Sequence, residues 1–371
     1  MRYGRFPTYA AEERLHALRA VGVEPVPLHG TPSPALPPHV VDAVAATLSG
    51  PMRTPSARGL EPLREALAGE LARTAGRAVD PSSQLLVTNG AMHALGVVFR
   101  SLLSPGDEVV VPAPCFFFEG PIRAAGAHPV YVPSSAREGW RWDADAIEQA
   151  VGPSARALLL CNPENPTGHV PGAEEVAAVV SVAERQGLLV VTDEAYERSL
   201  WEGASLVSAF GMADRAIVVR SLGKSLAMPH LRLGLLAGPA DLVTKCAHTL
   251  EWDCLRVGIA SQTAALAALT GPREWIDEVV EGMARARHVA LELVAGVDGL
   301  HAVRPRGGPF LFLGAEDGRA DLADELLAVG LPVVDGRHFQ APGRARLPFG
   351  GADEARPALE RALASWVVFR G

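Results

Sequence analysis

The stretch "VVRSLGKSLAMPHLRLG", Val218 to Gly234, places a lysine among small residues directly after an apolar, strand-like run. Lys224 lies between Gly223 and Ser225, and Arg232 follows just ahead of a second apolar run. Burial and nearby cations lower the pKa of a lysine, which makes it a nucleophile toward carbonyl groups. The pattern therefore predicts a reactive lysine at the end of a buried strand, with an arginine close to it.

Working outward, short apolar runs alternate with stretches of helical length. The strand candidates are 84–88, 107–114, 128–133, 156–162, 188–195, 216–222 and 233–238, and the helix candidates among them are 91–103 and 173–186. Strands this apolar are typical of a mainly parallel sheet that helices cover on both faces. We therefore predict an α/β fold with a doubly wound sheet in a large domain over residues 39–274.

The pattern changes near residue 275. Residues 275–297 predict one long connecting helix, and shorter candidates follow it: strands at 300–305, 310–314, 331–336 and 344–350, and helices near 319–329 and 353–367. This alternation predicts a smaller α+β domain over residues 275–371. The N-terminal segment, residues 1–38, ends in the proline-rich "GTPSPALPP" and is expected to pack against that smaller domain.

Composition excludes several classes of function. The chain has 371 residues, a formal net charge of −8 and no basic stripe, so nucleic acid is not an expected partner. No apolar segment is long enough to span a membrane, and the N-terminus lacks the apolar core of a signal peptide. The four cysteines have no metal-ligand spacing. We therefore expect a cytoplasmic protein with free thiols and no metal site.

The loops after the strands carry the candidate ligands, because doubly wound sheets bind ligands at the carboxyl ends of their strands. "GAM", residues 90–92, opens a helix whose first amides could bind an anion, although many such turns bind nothing. "NPENPTGHV", residues 162–170, presents Asn162 and Asn165 from a loop that prolines stiffen. Asp193 ends a buried strand, either as a helix N-cap or beside a cation that its charge requires.

Taken together, these residues match the needs of one cofactor. An anion site with Ser221 and Arg232 suits a phosphate, Lys224 suits a covalent bond to an aldehyde, and Asp193 suits a cationic ring nitrogen. The sequence therefore predicts a site for pyridoxal 5'-phosphate.

The motifs "NPENPTG", "TDEAY", "SLGKSLAMPHLRLG" and "RARLPFGGADE" resemble, in order and separation, those of the class I/II aminotransferases, which are fold type I pyridoxal-phosphate enzymes. The resemblance covers essentially the whole chain. It implies that Lys224 forms the internal aldimine and moves the substrate proton, and that Asp193 pairs with the ring nitrogen. It also implies that Asn165 and Tyr196 contact the phenolic oxygen of the ring.

The resemblance implies further contacts with cofactor and substrate. The phosphate would be held by Gly90, Ala91, Met92, Ser221 and Arg232. Phe116 would stack on the ring, although it and its two phenylalanine neighbours could be ordinary core. Arg346 would bind the substrate α-carboxylate, near Gly30 and Asn165. The alternative is that Arg346 is a surface arginine on the same strand face as Arg344.

The sequence departs from the family pattern at three positions. The family often has a tyrosine five residues before Gly59 that reaches the cofactor phosphate of the other subunit, and Thr54 stands there instead. Arg53 or Ser56 could make that contact, or it could be lost. Gly223 replaces a frequent serine, and Pro348 stands where a small polar residue is common.

We therefore expect a homodimeric aminotransferase that moves the amino group of an α-amino acid to a 2-oxo acid. Elimination, replacement or cyclisation on the same cofactor is the main alternative, and the three departures from the family pattern leave the substrate open. A ligand-sensing domain of a transcription regulator is a third reading, but the chain contains no basic DNA-binding segment.

Overall fold

The computed structural model describes residues 5–51 and 54–370. Its strands are β1 (Leu85–Thr88), β2 (Glu108–Ala113), β3 (His128–Pro133), β4 (Ala155–Cys161), β5 (Leu189–Asp193), β6 (Ala216–Arg220), β7 (Gly234–Ala237), β8 (Leu300–Ala302), β9 (Phe310–Ala315), β10 (Val334–Asp335) and β11 (Arg344–Pro348).

The helices are α1 (Pro7–Arg19), α2 (Pro38–Ser49), α3 (Glu61–Ala75), α4 (Ala91–Leu102), α5 (Glu119–Ala124), α6 (Ala144–Gln149), α7 (Ala173–Arg185), α8 (Ala209–Met212), α9 (Leu222–Ser225), α10 (Ala240–Cys254), α11 (Ile259–Thr270), α12 (Glu274–Ala295), α13 (Leu322–Ala328) and α14 (Arg356–Arg370). None of the helices in the described ranges is long and apolar enough to cross a membrane.

The larger sheet has seven strands in the order β1-β7-β6-β5-β4-β2-β3. β7 runs antiparallel to both of its neighbours, and the other neighbouring pairs are parallel. Alternate residues of β4 enter two separate cores, Leu158 and Leu160 on one face and Leu159 and Cys161 on the other. Helices cover both faces, so the predicted α/β fold with a mainly parallel sheet is confirmed.

The second sheet is antiparallel, in the order β10-β11-β9-β8. Its core contains side chains of α12, α13 and α14. The N-terminal segment contacts this part of the molecule, because Leu15 and Val26 belong to the same core and the amide of Val26 donates to the carbonyl of Gly330 at 2.9 Å. A bridge also pairs His29 with Gly350.

The sequence patterns located these elements unevenly. α4, α7 and α12 lie within two residues of their predicted bounds. The predicted strand at 331–336 is reduced to Val334–Asp335, since Pro332 has no amide hydrogen to donate to a neighbouring strand. The patterns did not single out α2, α3, α10 or α11, which complete the helical layers.

Candidate active site

A cavity of about 630 Å³ opens at the carboxyl ends of β4, β5 and β6. Its wall contains nine of the residues that the sequence predicts for the site: Ala91, Met92, Phe116, Asn165, Asp193, Tyr196, Ser221, Lys224 and Arg232. They come from five separate stretches of the chain. The parallel sheet brings these stretches to one edge because its strands end side by side there.

Lys224 lies in α9, a single turn of helix that directly follows β6. Its amide donates to the carbonyl of Ser221, and its Nζ lies 3.7 Å from the centroid of the Tyr196 ring. A Cβ on the preceding Gly223 would approach the carbonyl oxygen of Met228 and Cα of Pro229 to 3.2 Å. The departure from serine at Gly223 is therefore accommodated by a tight local turn that leaves little room for a side chain.

Arg232 lines the cavity, and Gly90 lies beside it. Gly90 has a φ of 88°, and a Cβ there would lie 2.9 Å from Nη2 of Arg232. Gly90 precedes α4, whose first-turn amides, at Ala91 and Met92, have no partner within the helix. Arg232 takes part in no ion pair with any described residue. Helix amides and an unpaired guanidinium together make a site for an anion.

Asp193 ends β5 and is 5% exposed. Burial raises the pKa of its carboxyl to about 6, while Lys224 opposes that rise. Its Oδ1 accepts the amide of Ala195 at 3.0 Å. Within residues 5–51 and 54–370 no side chain forms a salt bridge to it, so a cation brought into the cavity would find an unpaired carboxylate.

Arg346 lies on β11 and is 5% exposed. Its Nη1 donates to Oδ1 of Asn165 at 3.0 Å and its Nη2 to Oγ1 of Thr8 at 3.4 Å, while Nε has no partner. The guanidinium lies 4.2 Å from the ring centroid of Phe310 and 4.8 Å from that of Phe339. Burial lowers the pKa of Arg346 to about 10.

This environment excludes the alternative that Arg346 is a surface arginine. It is a buried cation between aromatic rings, and no described carboxylate pairs with it. Such a guanidinium can accept an anionic ligand through two parallel hydrogen bonds. Arg344, two residues earlier, contacts the ring of Trp140 instead and does not line the cavity.

The three phenylalanines of "PCFFF" have different environments. Phe118 is fully buried in the core of the large sheet, whereas Phe116 is partly buried and lines the cavity. Phe117 packs between Phe116 and Phe339, with ring centroids 4.7 and 4.8 Å apart. Of the three rings, only that of Phe116 can therefore contact a ligand bound in the main cavity.

Gly90 and Arg346 do not line the main cavity themselves, and two further predicted residues, Gly30 and Asn162, also lie outside it. Gly30 borders a narrow gap together with Tyr196 and Lys224, and a Cβ there would lie 3.1 Å from the ring of Phe310. Asn162 turns away, since its side-chain amide donates to the carbonyl of Val207. Asn165 is thus the one of the two asparagines that reaches the cavity.

Comparison with known proteins identifies the family. The family described as aminotransferase class I and II matches residues 27–363. The chain belongs to this family. It is 32% identical to the aspartate/prephenate aminotransferase of Thermus thermophilus, over 95% of this chain and 94% of that protein. It is 34% identical to the arginine–pyruvate transaminase of Pseudomonas aeruginosa, over 87% of this chain and 85% of that one.

The fold agrees as well. Aspartate aminotransferase from Thermus thermophilus with maleate matches with a TM-score of 0.91 and 31% identity, over 98% of this chain and 100% of that one. The protein is therefore an aminotransferase that depends on pyridoxal phosphate and transfers an amino group between an amino acid and a 2-oxo acid.

Sequence patterns missed several residues in and around this cavity. Phe6 and Tyr9 line the cavity, and Thr8 contacts Arg346. No local motif marks them, because they reach the site only when α1 packs against the second sheet. Glu194 was also missed, although it stands inside "TDEAY"; it is fully buried and accepts two hydrogen bonds from Arg220, at 2.6 and 3.0 Å.

Two of the three candidates for the inter-subunit contact do not line the cavity. Thr54 and Ser56 are exposed and do not line it. Arg53 lies outside the described residues.

Proposed function

We propose that transamination takes place in the cavity at the ends of β4, β5 and β6, with Lys224 as the residue that binds the cofactor covalently. The observation that carries this proposal is that one cavity holds a lysine, a buried carboxylate and an unpaired arginine. A buried guanidinium, Arg346, is joined to it through Asn165.

The described residues fit the cofactor. The amides of Ala91 and Met92, with Ser221 and Arg232, suit its phosphate. Asp193, which forms no salt bridge with any described cation, suits the protonated ring nitrogen. Asn165 and Tyr196 would contact the phenolic oxygen, and Phe116 would offer an aromatic face to the ring.

The mechanism assigns each residue a task. When bound, pyridoxal phosphate supplies an electron sink for the pair released from the substrate Cα–H bond. Arg346 binds the substrate α-carboxylate through two hydrogen bonds, and Asn165 holds the guanidinium in place. Lys224 would take the proton from the substrate Cα with its Nζ, once that nitrogen is no longer bonded to the cofactor, and would return a proton from the same atom. Asp193 stays ionised beside the ring nitrogen.

The amino donor is not fixed by the relatives, because their names differ. One is an aspartate/prephenate aminotransferase and another an arginine–pyruvate transaminase. We propose an α-amino acid as donor, since the isolated guanidinium of Arg346 requires an α-carboxylate or an equivalent anion.

We also propose a domain division and a cellular setting. Residues 39–274 would form the large domain, and residues 1–38 with 275–371 the smaller one, with α12 as connector; separate hydrophobic cores around the two sheets support this. A homodimer is proposed from the family membership. A cytoplasmic location is supported by the four cysteines, which form no disulfide.

Covalent labelling tests the central assignment. Borohydride reduction of the protein loaded with cofactor should fix the cofactor to the peptide that contains Lys224. The chain has one other lysine, Lys245, which is exposed on α10 and serves as an internal control. A label on Lys245, or no label at all, would contradict the proposal.

A further inference from the structure

Part of the wall of the main cavity is apolar. The main cavity and a neighbouring cavity of about 740 Å³ share Phe6 and Met92 in their walls. Phe6 lies edge-on to Phe117, with ring centroids 5.0 Å apart and an interplanar angle of 87°. It also contacts Phe116 at 6.3 Å.

The start of α1 places this wall next to the proposed carboxylate site. Thr8 accepts a hydrogen bond from Arg346, while Phe6 and Tyr9 on either side of it face the main cavity. A substrate whose α-carboxylate is held by Arg346 therefore has Phe6 and Tyr9 within reach of its side chain.

The cations around the neighbouring cavity already have partners. Each of its four arginines has its own carboxylate: Arg5 with Glu13, Arg100 with Asp253, Arg123 with Glu119 and Arg337 with Asp335. Among the described residues, no unpaired arginine or lysine thus remains there for a second substrate carboxylate. An anionic side chain would lie against apolar surface and lose hydration without gaining a partner.

We propose that the amino donor of this enzyme carries an aromatic side chain, held between Phe6 and Tyr9 at the start of α1 and the side chain of Met92 at the start of α4. The proposal rests on the proposed function of the same cavity. Aromatic side chains bury a large apolar area and gain further from edge-to-face contacts of the kind that Phe6 and Phe117 already make. A dicarboxylic donor gains neither.

Two measurements on the cofactor-loaded enzyme test this. The rate at which a donor converts the visible band of the cofactor is measured with L-phenylalanine and with L-aspartate. Calorimetry measures binding of the unreactive analogues 3-phenylpropionate and succinate, which gives a readout without turnover. L-Phenylalanine should be favoured at least tenfold in kcat/KM, and 3-phenylpropionate should bind at least tenfold more tightly than succinate.

Two variants locate the effect. Phe6→Ala should reduce both preferences at least fivefold, whereas Val21→Ala, at a residue that is 76% exposed beyond α1, should leave them unchanged. Met92→Lys keeps an unbranched side chain of similar length but adds a cation, so it should bind succinate more tightly than the parent does.

The outcomes separate this inference from the proposed function. Preference for L-aspartate and succinate in the parent enzyme would overturn the aromatic donor while leaving transamination intact. Equal loss with both donors in Phe6→Ala, with unchanged analogue preference, would also overturn it. Failure of every amino acid to convert the cofactor would instead contradict the proposed function itself.

Discussion

Arg346 combines two properties that rarely occur together, full burial and the absence of a paired carboxylate. A buried guanidinium is costly unless an anion neutralises it, so the site is prepared for a ligand rather than for stability. The lowered pKa, about 10, still lies well above neutral pH, and Arg346 therefore remains a cation when substrate arrives.

We predict that Arg346→Ala loses about 2–5 kcal/mol of transition-state stabilisation, as expected for removing one partner of a desolvated charge pair. Arg346→Lys should be impaired as well, because an ammonium cannot form the two parallel hydrogen bonds. The measurement is kcat/KM for an amino acid and for the amine that lacks its carboxylate.

Arg344→Ala, two residues earlier on the same strand, is the matched control and should behave like the parent. If Arg346→Ala still distinguishes the amino acid from the amine as well as the parent does, another group binds the carboxylate.

The buried carboxylate of Asp193 is predicted to lower the stability of the cofactor-free protein while it serves the activity of the loaded enzyme. Burial raises the pKa of its carboxyl from an ordinary value of 3.8 to about 6 in the folded chain. The folded state therefore holds this proton more tightly than the unfolded state, and stability is lost as pH rises between these two values. This difference of about two pKa units lowers the free energy of unfolding by about 3 kcal/mol at neutral pH.

Asp193→Asn should therefore stabilise the cofactor-free protein at pH 8, by up to about 3 kcal/mol, while it strongly slows proton abstraction in the loaded enzyme. Asparagine keeps an oxygen that can accept the amide of Ala195. Urea denaturation from pH 4 to pH 8 measures the difference in free energy of unfolding between the variant and the parent. This difference should grow up to about pH 6 and then level off. A cofactor-free variant less stable than the parent at pH 8 would refute the electrostatic argument.

At the residue scale, the sequence predicted candidates where unusual residue types occur in a fixed order, and the fold brings several of them to one cavity. Lys224, Asp193 and Arg232 stand out in the sequence because they lie beside prolines, glycines or strand ends. Phe6, Thr8 and Tyr9 do not stand out, because they lie in or just before an ordinary helix. Their role arises only from the packing of α1 near Arg346, about 340 residues along the chain.

At the scale of elements, the anion site depends on a close approach of two backbones. A Cβ at Gly234, where β7 begins, would lie 2.7 Å from the carbonyl carbon of Gly90 and 2.9 Å from the amide nitrogen of Ala91. It would also lie 2.7 Å from the carbonyl oxygen of Arg220. None of these atoms can move without shifting a strand or the start of α4.

Gly234→Ala should therefore destabilise the protein by about 1–3 kcal/mol, as overpacking does, and weaken cofactor binding at least tenfold. Gly69→Ala is the control, since a Cβ at this exposed position in α3 would meet nothing within 4 Å. Alanine has a higher helix propensity than glycine, so the Gly69→Ala control should be as stable as the parent or slightly more stable. Thermal melts and cofactor titration measure both effects, and normal cofactor affinity in Gly234→Ala would contradict the close approach.

Elements of the large sheet could be predicted well because they are buried on both faces and read as uniform apolar runs. β10 could not, because Pro332 interrupts its run and only two residues pair with β11. α2 and α11 pack on each other beside the sheet, and short alanine-rich helices of this kind give a weak signal against the surrounding apolar sequence.

For the whole molecule, the order of the motifs predicted the fold class and the cofactor, while the way the domains and subunits meet could not be read from one chain. The end of α10 is where that question can be tested. Trp252 is 93% exposed and Leu255 67% exposed, and Leu255 has a φ of 59°, which is unusual for a residue with a branched side chain.

The end of α10 contacts the segment before α4, because the side-chain amide of Asn89, just before Gly90, donates to Sγ of Cys254 at 3.4 Å. If a second copy of the chain covers the end of α10, dimerisation would order the segment that supports the anion site. Trp252→Arg should then weaken the dimer at least tenfold, since a buried aromatic residue is a frequent energetic centre of an interface, and cofactor affinity should fall with it.

Val368→Arg, at an apolar residue of α14 that is 80% exposed, is the control and should change neither dimer stability nor cofactor affinity. Sedimentation velocity, with cofactor titration at matched concentrations, measures both quantities. A parent protein that sediments as an active monomer would contradict the proposed dimer. A Trp252→Arg dimer as stable as that of the parent would show that the interface does not include the end of α10.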